Sequence, residues 1–238
     1  MDFRPILSAL LRSKTGPILV ALQVALSLAI LANTVHIVHE RSAAVARPSG
    51  LADEHSVFHI AVRSLSDAAP EQQLADIKRQ TEVLRNVGGV AAVAQLSQLP
   101  MSRSGSNTSV ALDPRQQRET TDAWVYVSGD SLVKTFGLEL VEGRDFQSQE
   151  LIDVNESTES VYPPGVIITK ALAEKLWPGA SAVGKTMYFG YGADAHPTRI
   201  IGVVQTLISP AAEISERGQF SVLIPQRLYG GGRGTLYA

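Results

Sequence analysis

One stretch of the sequence matches a pattern that binds phosphate in nucleotide-hydrolysing proteins. Residues 179–186 read GASAVGKT and satisfy the phosphate-loop pattern G-x-x-x-x-G-K-[ST]. In a working phosphate loop a strand precedes the glycines and a helix follows, so that helix amides and the lysine surround the phosphates. Here the sequence predicts a helix before the loop, over 170–177, and the β-rich run MYFGY after it. Because this order is reversed, we expect Lys185 to lie on a surface turn.

Histidines offer a second chemistry, metal binding. Four of the five histidines are at positions 36, 39, 55 and 59. His55 and His59 would share one face of a helix, but residues 56–63, SVFHIAVR, alternate as a strand does. In a strand the two residues would lie about 13 Å apart, too far to bind one ion. His36 and His39 are expected at a membrane boundary, so we predict no metal site.

Composition limits the remaining chemistry. The absence of cysteine excludes disulfides, thiolate nucleophiles and cysteine-ligated metals. No G-x-S-x-G motif occurs, and the net charge of −2 provides no basic surface for nucleic acid. The acidic residues at 150–159 are expected in a solvated loop. We therefore predict no catalytic residues, no cofactor, no enzymatic activity and no nucleic-acid partner.

A charge-free apolar run near the N-terminus predicts a membrane span. Residues 17–38 contain 12 Leu, Ile or Val among 22, and as a helix they would be about 33 Å long. The hydrocarbon core of a bilayer is about 30 Å thick, so the run is long enough to cross it. Three basic residues precede the span and two follow it. This bias places the N-terminus in the cytoplasm.

Two alternatives to an uncleaved anchor remain. Residues 44–46, Ala-Val-Ala, fit a signal-peptide cleavage pattern, but the apolar run is longer than the roughly 7–15 residues of a signal sequence. A buried helix of a soluble protein has a similar composition. The length of the apolar run favours an uncleaved membrane anchor.

The rest of the chain predicts an α+β domain with mixed β-sheets and short helices. Residues 47–50, Arg-Pro-Ser-Gly, form a hinge, and residues 147–160 are expected to be a mobile loop. Helices are predicted over 70–87, stopped by Gly88-Gly89, over 170–177, and between a cap at 128–130 and Gly137. Strands are predicted over 56–63, 90–96, 109–112, 123–127, 138–141, 166–168, 186–189, 199–206 and 220–224.

Residues 143–146, Gly-Arg-Asp-Phe, predict a turn that leaves a strand. Glycine permits a positive φ there, and Phe146 is expected to enter the core. Arg144 and Asp145 are expected to form a local exposed ion pair, which contributes little stability.

Four segments in order resemble the periplasmic core domain of MacB/FtsX-type ABC transporter permeases. They are VSGDSLVKTFGLELVEGRDF at 127–146, VIITKALAEKLWPG at 166–179, VGKTMYF at 183–189 and RIIGVVQTL at 199–207. The apolar run at 17–38 also resembles the first transmembrane helix of that family. Ser181-Ala182 departs from the family, which commonly has an acidic residue and proline there. The family has three further transmembrane helices, whereas this sequence has no second apolar span.

The resemblance implies the following organisation. Residues 1–16 are a cytoplasmic segment, 17–38 the transmembrane helix, 39–50 a linker, and 51–238 the periplasmic MacB-like core domain. In the bacterial inner membrane, such a chain would be a non-catalytic part of an exporter.

The resemblance also implies partners: a separate cytoplasmic ABC ATPase, the lipid bilayer, a second permease chain and a periplasmic adaptor. The alternative function is a single-pass membrane sensor or adhesion protein with its own extracytoplasmic ligand-binding domain.

The reversed order around the phosphate-loop pattern leads to a prediction about ATP. Millimolar Mg-ATP should leave the melting temperature of the protein unchanged, because a ligand stabilises a native state only if it binds that state. Thermal melts of the native chain and of Lys185→Ala, each with and without Mg-ATP, measure this. A saturable rise in melting temperature that Lys185→Ala abolishes would show that the loop binds nucleotide.

Overall fold

Helix α1 contains the apolar run. In the computed structural model, which describes residues 15–64, 68–211, 213, 215–231 and 234–238, α1 spans Thr15–Val45. Its Thr15–Ala44 stretch is long and apolar enough to cross a membrane. The helix is longer than the predicted span, so residues 39–45 of the predicted linker are helical. A second compact unit is Pro48–Ala238.

The second unit contains short helices and many strands, which makes it α+β as predicted. Its described α-helices are α2 (Pro70–Arg85), α3 (Leu132–Phe136) and α4 (Lys170–Leu176). Its described strands are β1 (Ile60–Val62), β2 (Gln95–Leu96), β3 (Asn107–Ala111), β4 (Thr121–Val127), β5 (Leu140–Gly143), β6 (Ile152–Asn155), β7 (Gly165–Thr169), β8 (Thr186–Phe189), β9 (His196–Val204), β10 (Ser221–Ile224), β11 (Gln226–Tyr229) and β12 (Thr235–Tyr237). Short 3₁₀ turns lie at Ser148–Glu150, Gly192–Asp194 and Glu216–Gln219.

The described strands form three sheets. The large sheet is mixed and has the order β5-β9-β7-β10-β4-β3-β8, with β8 also paired to β9. A small sheet has the order β1-β12-β2, in which β12 is antiparallel to both neighbours. β6 and β11 form a parallel pair. Helix α2 connects β1 to β2, so the small sheet is built around a β-α-β unit.

The large sheet is buried on both faces. Val166 and Ile168 of β7 pack in one apolar cluster with Leu172 of α4, whereas Ile167 packs in a second cluster with Phe136 of α3. Two-sided burial explains why the run at 166–168 is apolar without alternation. Full burial of a side chain such as Leu172 stabilises the fold by about 2 kcal/mol.

Two predicted strands are shorter in the structure. The strand predicted over 56–63 is reduced to Ile60–Val62, and the one predicted over 90–96 to Gln95–Leu96. Both pair with β12, and Leu96 of β2 also forms an isolated antiparallel bridge with Ser128. A strand needs a hydrogen-bonded neighbour, and only these short stretches have one in a ladder.

The prediction of a mobile loop over 147–160 is wrong in its centre. Residues 152–155 form β6, which pairs with β11, and Val154 is buried. The acidic residues of this segment suggested solvent exposure. The distant partner strand, which only the tertiary structure provides, organises the segment instead.

The caps of two helices also differ from the predictions. Helix α3 is capped by Ser131, whose Oγ accepts a hydrogen bond from the Lys134 N–H at 3.0 Å, and not by residues 128–130. It ends at Gly137 as predicted, with a φ of 61° that favours glycine. Helix α2 ends at Arg85 with Asn86 as its cap, before the predicted Gly88-Gly89 stop.

The predicted pair of Arg144 with Asp145 is also wrong. Both terminal nitrogens of Arg144 donate to the Glu150 carboxylate at 2.7 Å, and the Glu150 carboxylate also accepts the Gln147 N–H at 2.7 Å. Asp145 accepts instead from the Ser131 hydroxyl at 2.5 Å. Phe146 is half-buried against the second apolar cluster. The turn is thus closed by a bidentate ion pair six residues apart.

This ion pair makes the unfolding free energy depend on pH in the acid range. The Arg144 guanidinium, by hydrogen bonding, lowers the pKa of Glu150 from its usual 4.5 to about 2. Arg144→Met should lower the unfolding free energy only modestly at pH 7, because both partners are partly exposed to water. Because the folded pKa is the lower one, this contribution is complete above pH 4.5 and is lost as pH falls to about 2.

Urea unfolding of both proteins between pH 7 and pH 2 measures this difference in unfolding free energy. A difference that stays constant down to pH 2 would show that the ion pair is not its source.

Candidate functional site: an ionic cluster between the two sheets

The carboxylate of Asp130 lies buried just after β4 and receives three hydrogen bonds. Its Oδ1 accepts from Arg85 Nη2 at 2.5 Å and from Arg227 Nη2 at 3.3 Å. Its Oδ2 accepts from the backbone N–H of Gln95 at 3.2 Å. Only 7% of the Asp130 side chain is exposed. These bonds compensate the cost of removing the charge from water.

Arg227 of β11 extends the cluster toward β6. Its Nη1 donates to Asp153 Oδ1 at 2.9 Å, and its Nη2 donates to the Gly129 carbonyl at 2.9 Å. Asp153 in turn accepts from Lys78 of α2 at 2.6 Å. A Cβ at Gly129 would lie 2.4 Å from the Cβ of Arg227, so glycine is required for this approach. We call Lys78, Arg85, Asp130, Asp153 and Arg227 the ionic cluster.

The ionic cluster holds parts of the fold that lie far apart in sequence. Lys78 and Arg85 come from α2, and Asp130 follows β4 of the large sheet. Asp153 of β6 and Arg227 of β11 link the parallel pair of strands. The Gln95 N–H adds β2 of the small sheet. The cluster therefore fastens the small sheet and α2 to the large sheet.

A cleft of about 560 Å³ opens beside the ionic cluster. Arg85, Asp130, Arg227 and Lys134 supply its charged walls, and residues 90–93 supply an extended backbone wall. In the ionic cluster each of the three cations bonds at least one of the two carboxylates. The arrangement is therefore suited to joining elements rather than to moving protons.

A second contact joins α2 to the small sheet. The hydroxyl of Tyr237 in β12 donates to Gln80 Oε1 at 2.7 Å. Burial raises the pKa of Tyr237 to about 12, so the phenol stays protonated and remains a donor at neutral pH.

The phosphate-loop residues have the order that the sequence predicts. Helix α4 precedes them and β8 follows, and Gly179 and Gly184 have φ values of 69° and 84°. Lys185 Nζ lies 5.2 Å from the centre of the Trp177 ring, a distance typical of a cation–π contact. The absence of nucleotide binding stays a prediction.

The candidate histidines do not come together. His55 and His59 are exposed residues of the segment before β1, outside the strand expected for them, and His36 and His39 lie in α1. Within the described ranges no three His, Asp or Glu side chains are grouped to hold a metal ion. The absence of a metal site also stays a prediction.

Sequence reasoning missed the ionic cluster. Asp130 was interpreted as a helix cap and Asp153 as a loop residue, and the three cations were not singled out. One signal was available: Asp130 lies three residues after the end of a strand, next to a glycine that lets another chain segment come close. The partners could not be found, because they lie 45 and 97 residues away.

Removal of the central charge tests the ionic cluster. Asp130→Asn should lower the unfolding free energy by about 2–3 kcal/mol, because it leaves Arg227 buried with only Asp153 as a counterion. Asp113→Asn is the matched control, since Asp113 pairs with Arg115 at an exposed site and its variant should lose much less unfolding free energy. Denaturant unfolding measures both. Equal losses for the two variants would contradict a structural role for Asp130.

The sequence pattern of the family described as MacB-like periplasmic core domain matches residues 18–236. No curated protein sequence matches significantly.

Solved structures were compared as well. The extracellular domain of the noncanonic ABC-type transporter YknZ from Gram-positive bacteria is 16% identical, with 76% of this chain and 82% of that chain covered and a TM-score of 0.41. The periplasmic region of MacB from Actinobacillus actinomycetemcomitans is 14% identical, with 82% and 78% covered and a TM-score of 0.44.

The family match extends from the start of the apolar helix to the last strand of the small sheet. This chain therefore belongs to the family of the MacB-like periplasmic core domain of ABC-type transporter permeases.

Proposed function

We propose that this chain is a membrane-anchored, non-catalytic part of an ABC transporter permease. It couples a separate cytoplasmic ATPase to the handling of a substrate or partner outside the cytoplasm during export. The observation that carries this proposal is the family match over residues 18–236, which includes the apolar helix and the folded domain together. The basic residues before the helix favour a cytoplasmic N-terminus and a periplasmic domain in the bacterial inner membrane.

The chain segment between the helix and the domain supports a coupling role. Helix α1 continues to Val45, and the compact domain begins at Pro48. The N–H of Ala46 still donates to the Ser42 carbonyl at 3.0 Å, and that of Arg47 donates to Ala44 at 3.3 Å. Two residues, Ala46 and Arg47, lie between the end of α1 and the start of the domain. In this proposal a displacement of α1 is passed to the domain through this short segment.

The ionic cluster supports the second step of the proposed coupling, which is transfer of a displacement within the domain. In this proposal, movement of one sheet is passed to the other through their junction. The buried carboxylate of Asp130 forms that junction, since it accepts from the Gln95 N–H of the small sheet and also bonds Arg85 and Arg227. The domain can then respond as one unit.

The proposed partners follow from this role. They are the cytoplasmic ABC ATPase, the lipid bilayer, a second permease chain and a periplasmic adaptor. Residues 17–38 anchor the mature protein, residues 39–50 link this anchor to the domain, and residues 51–238 form the periplasmic domain. The chain itself needs no cofactor and performs no reaction.

Purification from native membranes tests the proposal. The full chain, isolated in mild detergent, should carry vanadate-sensitive ATP hydrolysis from its partner. The matched control replaces residues 17–38 with an unrelated membrane-spanning helix of equal length, which keeps the anchor but removes the helix surface that partner subunits contact. ATP hydrolysis should be lost from the control.

Two results would contradict the proposal. One is a native chain without co-purifying ATP hydrolysis, or equal hydrolysis in native and helix-replaced chains. The other is an intact mass that begins at Arg47, which would mean that the helix is a cleaved signal sequence.

A further inference from the structure

The cleft of about 560 Å³ beside the ionic cluster has more positive than negative charge on its walls. Its described lining includes three cations, Arg85, Lys134 and Arg227, and one carboxylate, Asp130. The ionic cluster does not balance these charges, since its three cations share the carboxylates of Asp130 and Asp153. An anion that enters the cleft is therefore attracted by a net positive charge.

Two of the cations have donors left for a ligand. Arg85 Nη2 donates to Asp130 and, at 3.4 Å, to the Val93 carbonyl. Its Nη1 lies 3.8 Å from the Glu82 carboxylate, beyond hydrogen-bonding distance, and 43% of the Arg85 side chain is exposed. Lys134 is exposed, and within the described ranges its ammonium group makes no ion pair. Arg85 Nη1 and Lys134 Nζ can therefore bond an incoming carboxylate.

The backbone wall of the cleft continues β2 toward the N-terminus. The Gln95 N–H bonds Asp130 at the edge that faces the cleft, whereas Ala94 bonds the chain end after β12 at the opposite edge. The backbone groups of an extended segment alternate between its two edges. Those of Val93 and Ala91 therefore point to the same edge as those of Gln95, into the cleft.

This cleft-facing edge has free hydrogen-bonding groups. The Val93 carbonyl accepts from Arg85 at 3.4 Å, which agrees with the direction given by the alternation. In the part of the chain that the structure describes, the N–H of Val93 and both backbone groups of Ala91 make no hydrogen bond. An unpaired edge of this kind is a template for one more strand. Phe146 and Leu151 add apolar surface to the cleft.

We propose that this cleft binds an acidic peptide segment in an extended conformation. The peptide backbone accepts from the N–H groups of Ala91 and Val93, and an Asp or Glu side chain bonds Arg85 Nη1 and Lys134 Nζ. The net positive charge selects an acid, and the unpaired backbone edge selects a peptide. This inference goes beyond the coupling role and does not rest on it, because the chain binds the peptide without an ATPase.

Two peptides test the binding with the full chain in detergent. The probe is Thr-Val-Glu-Val-Thr-amide with a neutral fluorophore on its amino end, and the control peptide has Gln in place of Glu, which removes only the charge. Fluorescence anisotropy measures both dissociation constants. The Glu peptide should bind saturably and about threefold or more tightly than the Gln peptide. Added salt should reduce this preference, because it screens the charges.

Lysine variants and amide hydrogen exchange locate the site. Lys134→Met should weaken binding of the Glu peptide by about threefold or more and hardly change binding of the Gln peptide. Lys170→Met is the matched control, since Lys170 is exposed and lies outside the cleft lining, and it should leave binding unchanged. The Glu peptide should slow exchange of Ala91 and Val93, whereas Ala92, whose N–H points to the other edge, should change much less.

Three results would overturn the proposal: equal binding of the two peptides, equal effects of the two lysine variants, or unchanged exchange of Ala91 and Val93. Free acetate that displaces the peptide at equal concentration would also contradict it, because the site would then take small carboxylates. Exchange at Ile167, which is fully buried, shows whether each variant keeps its fold. None of these measurements depends on co-purifying ATP hydrolysis, so they and the test of the transport role can fail separately.

Discussion

The buried carboxylate of Asp130 is the interaction on which the arrangement of the domain depends. The Asp130 side chain is only 7% exposed, so its charge is tolerated only if cations and N–H groups surround it. These groups come from α2, β2 and β11. Meeting this requirement brings the small sheet, the large sheet and the β6–β11 pair to one point. The apolar clusters supply most of the stabilising free energy, whereas the ionic cluster sets which elements meet.

This arrangement suits a domain that transmits displacement. The large sheet is packed on both faces, so it resists bending, and its junction with the small sheet is closed by paired charges instead of a flexible linker. Residues 90–93 line two clefts, the one beside the ionic cluster and a second of about 430 Å³ that is lined mostly by apolar residues.

The small sheet is the part whose prediction from the sequence was least complete. Segments 56–63 and 90–96 have the composition of strands, and the structure leaves both extended but pairs only three and two residues of them. The strand predictions and the structure agree for the residues that pair with β12. Residues 56–59 and 90–93 have strand composition, but they belong to no strand of the structure.

The sequence by itself determined the features that depend on local pattern: the apolar run of α1, the helix that starts at Pro70, the strand at 166–168 and the family. Such features follow from periodicity, caps and apolar content within about 20 residues. Only the tertiary structure decided that Asp130 meets Arg85 and Arg227, 45 and 97 residues away, and that β6 lies within an acidic segment. A charged residue has the same local pattern whether it is solvated or paired, because its partner is set by how distant strands are brought together.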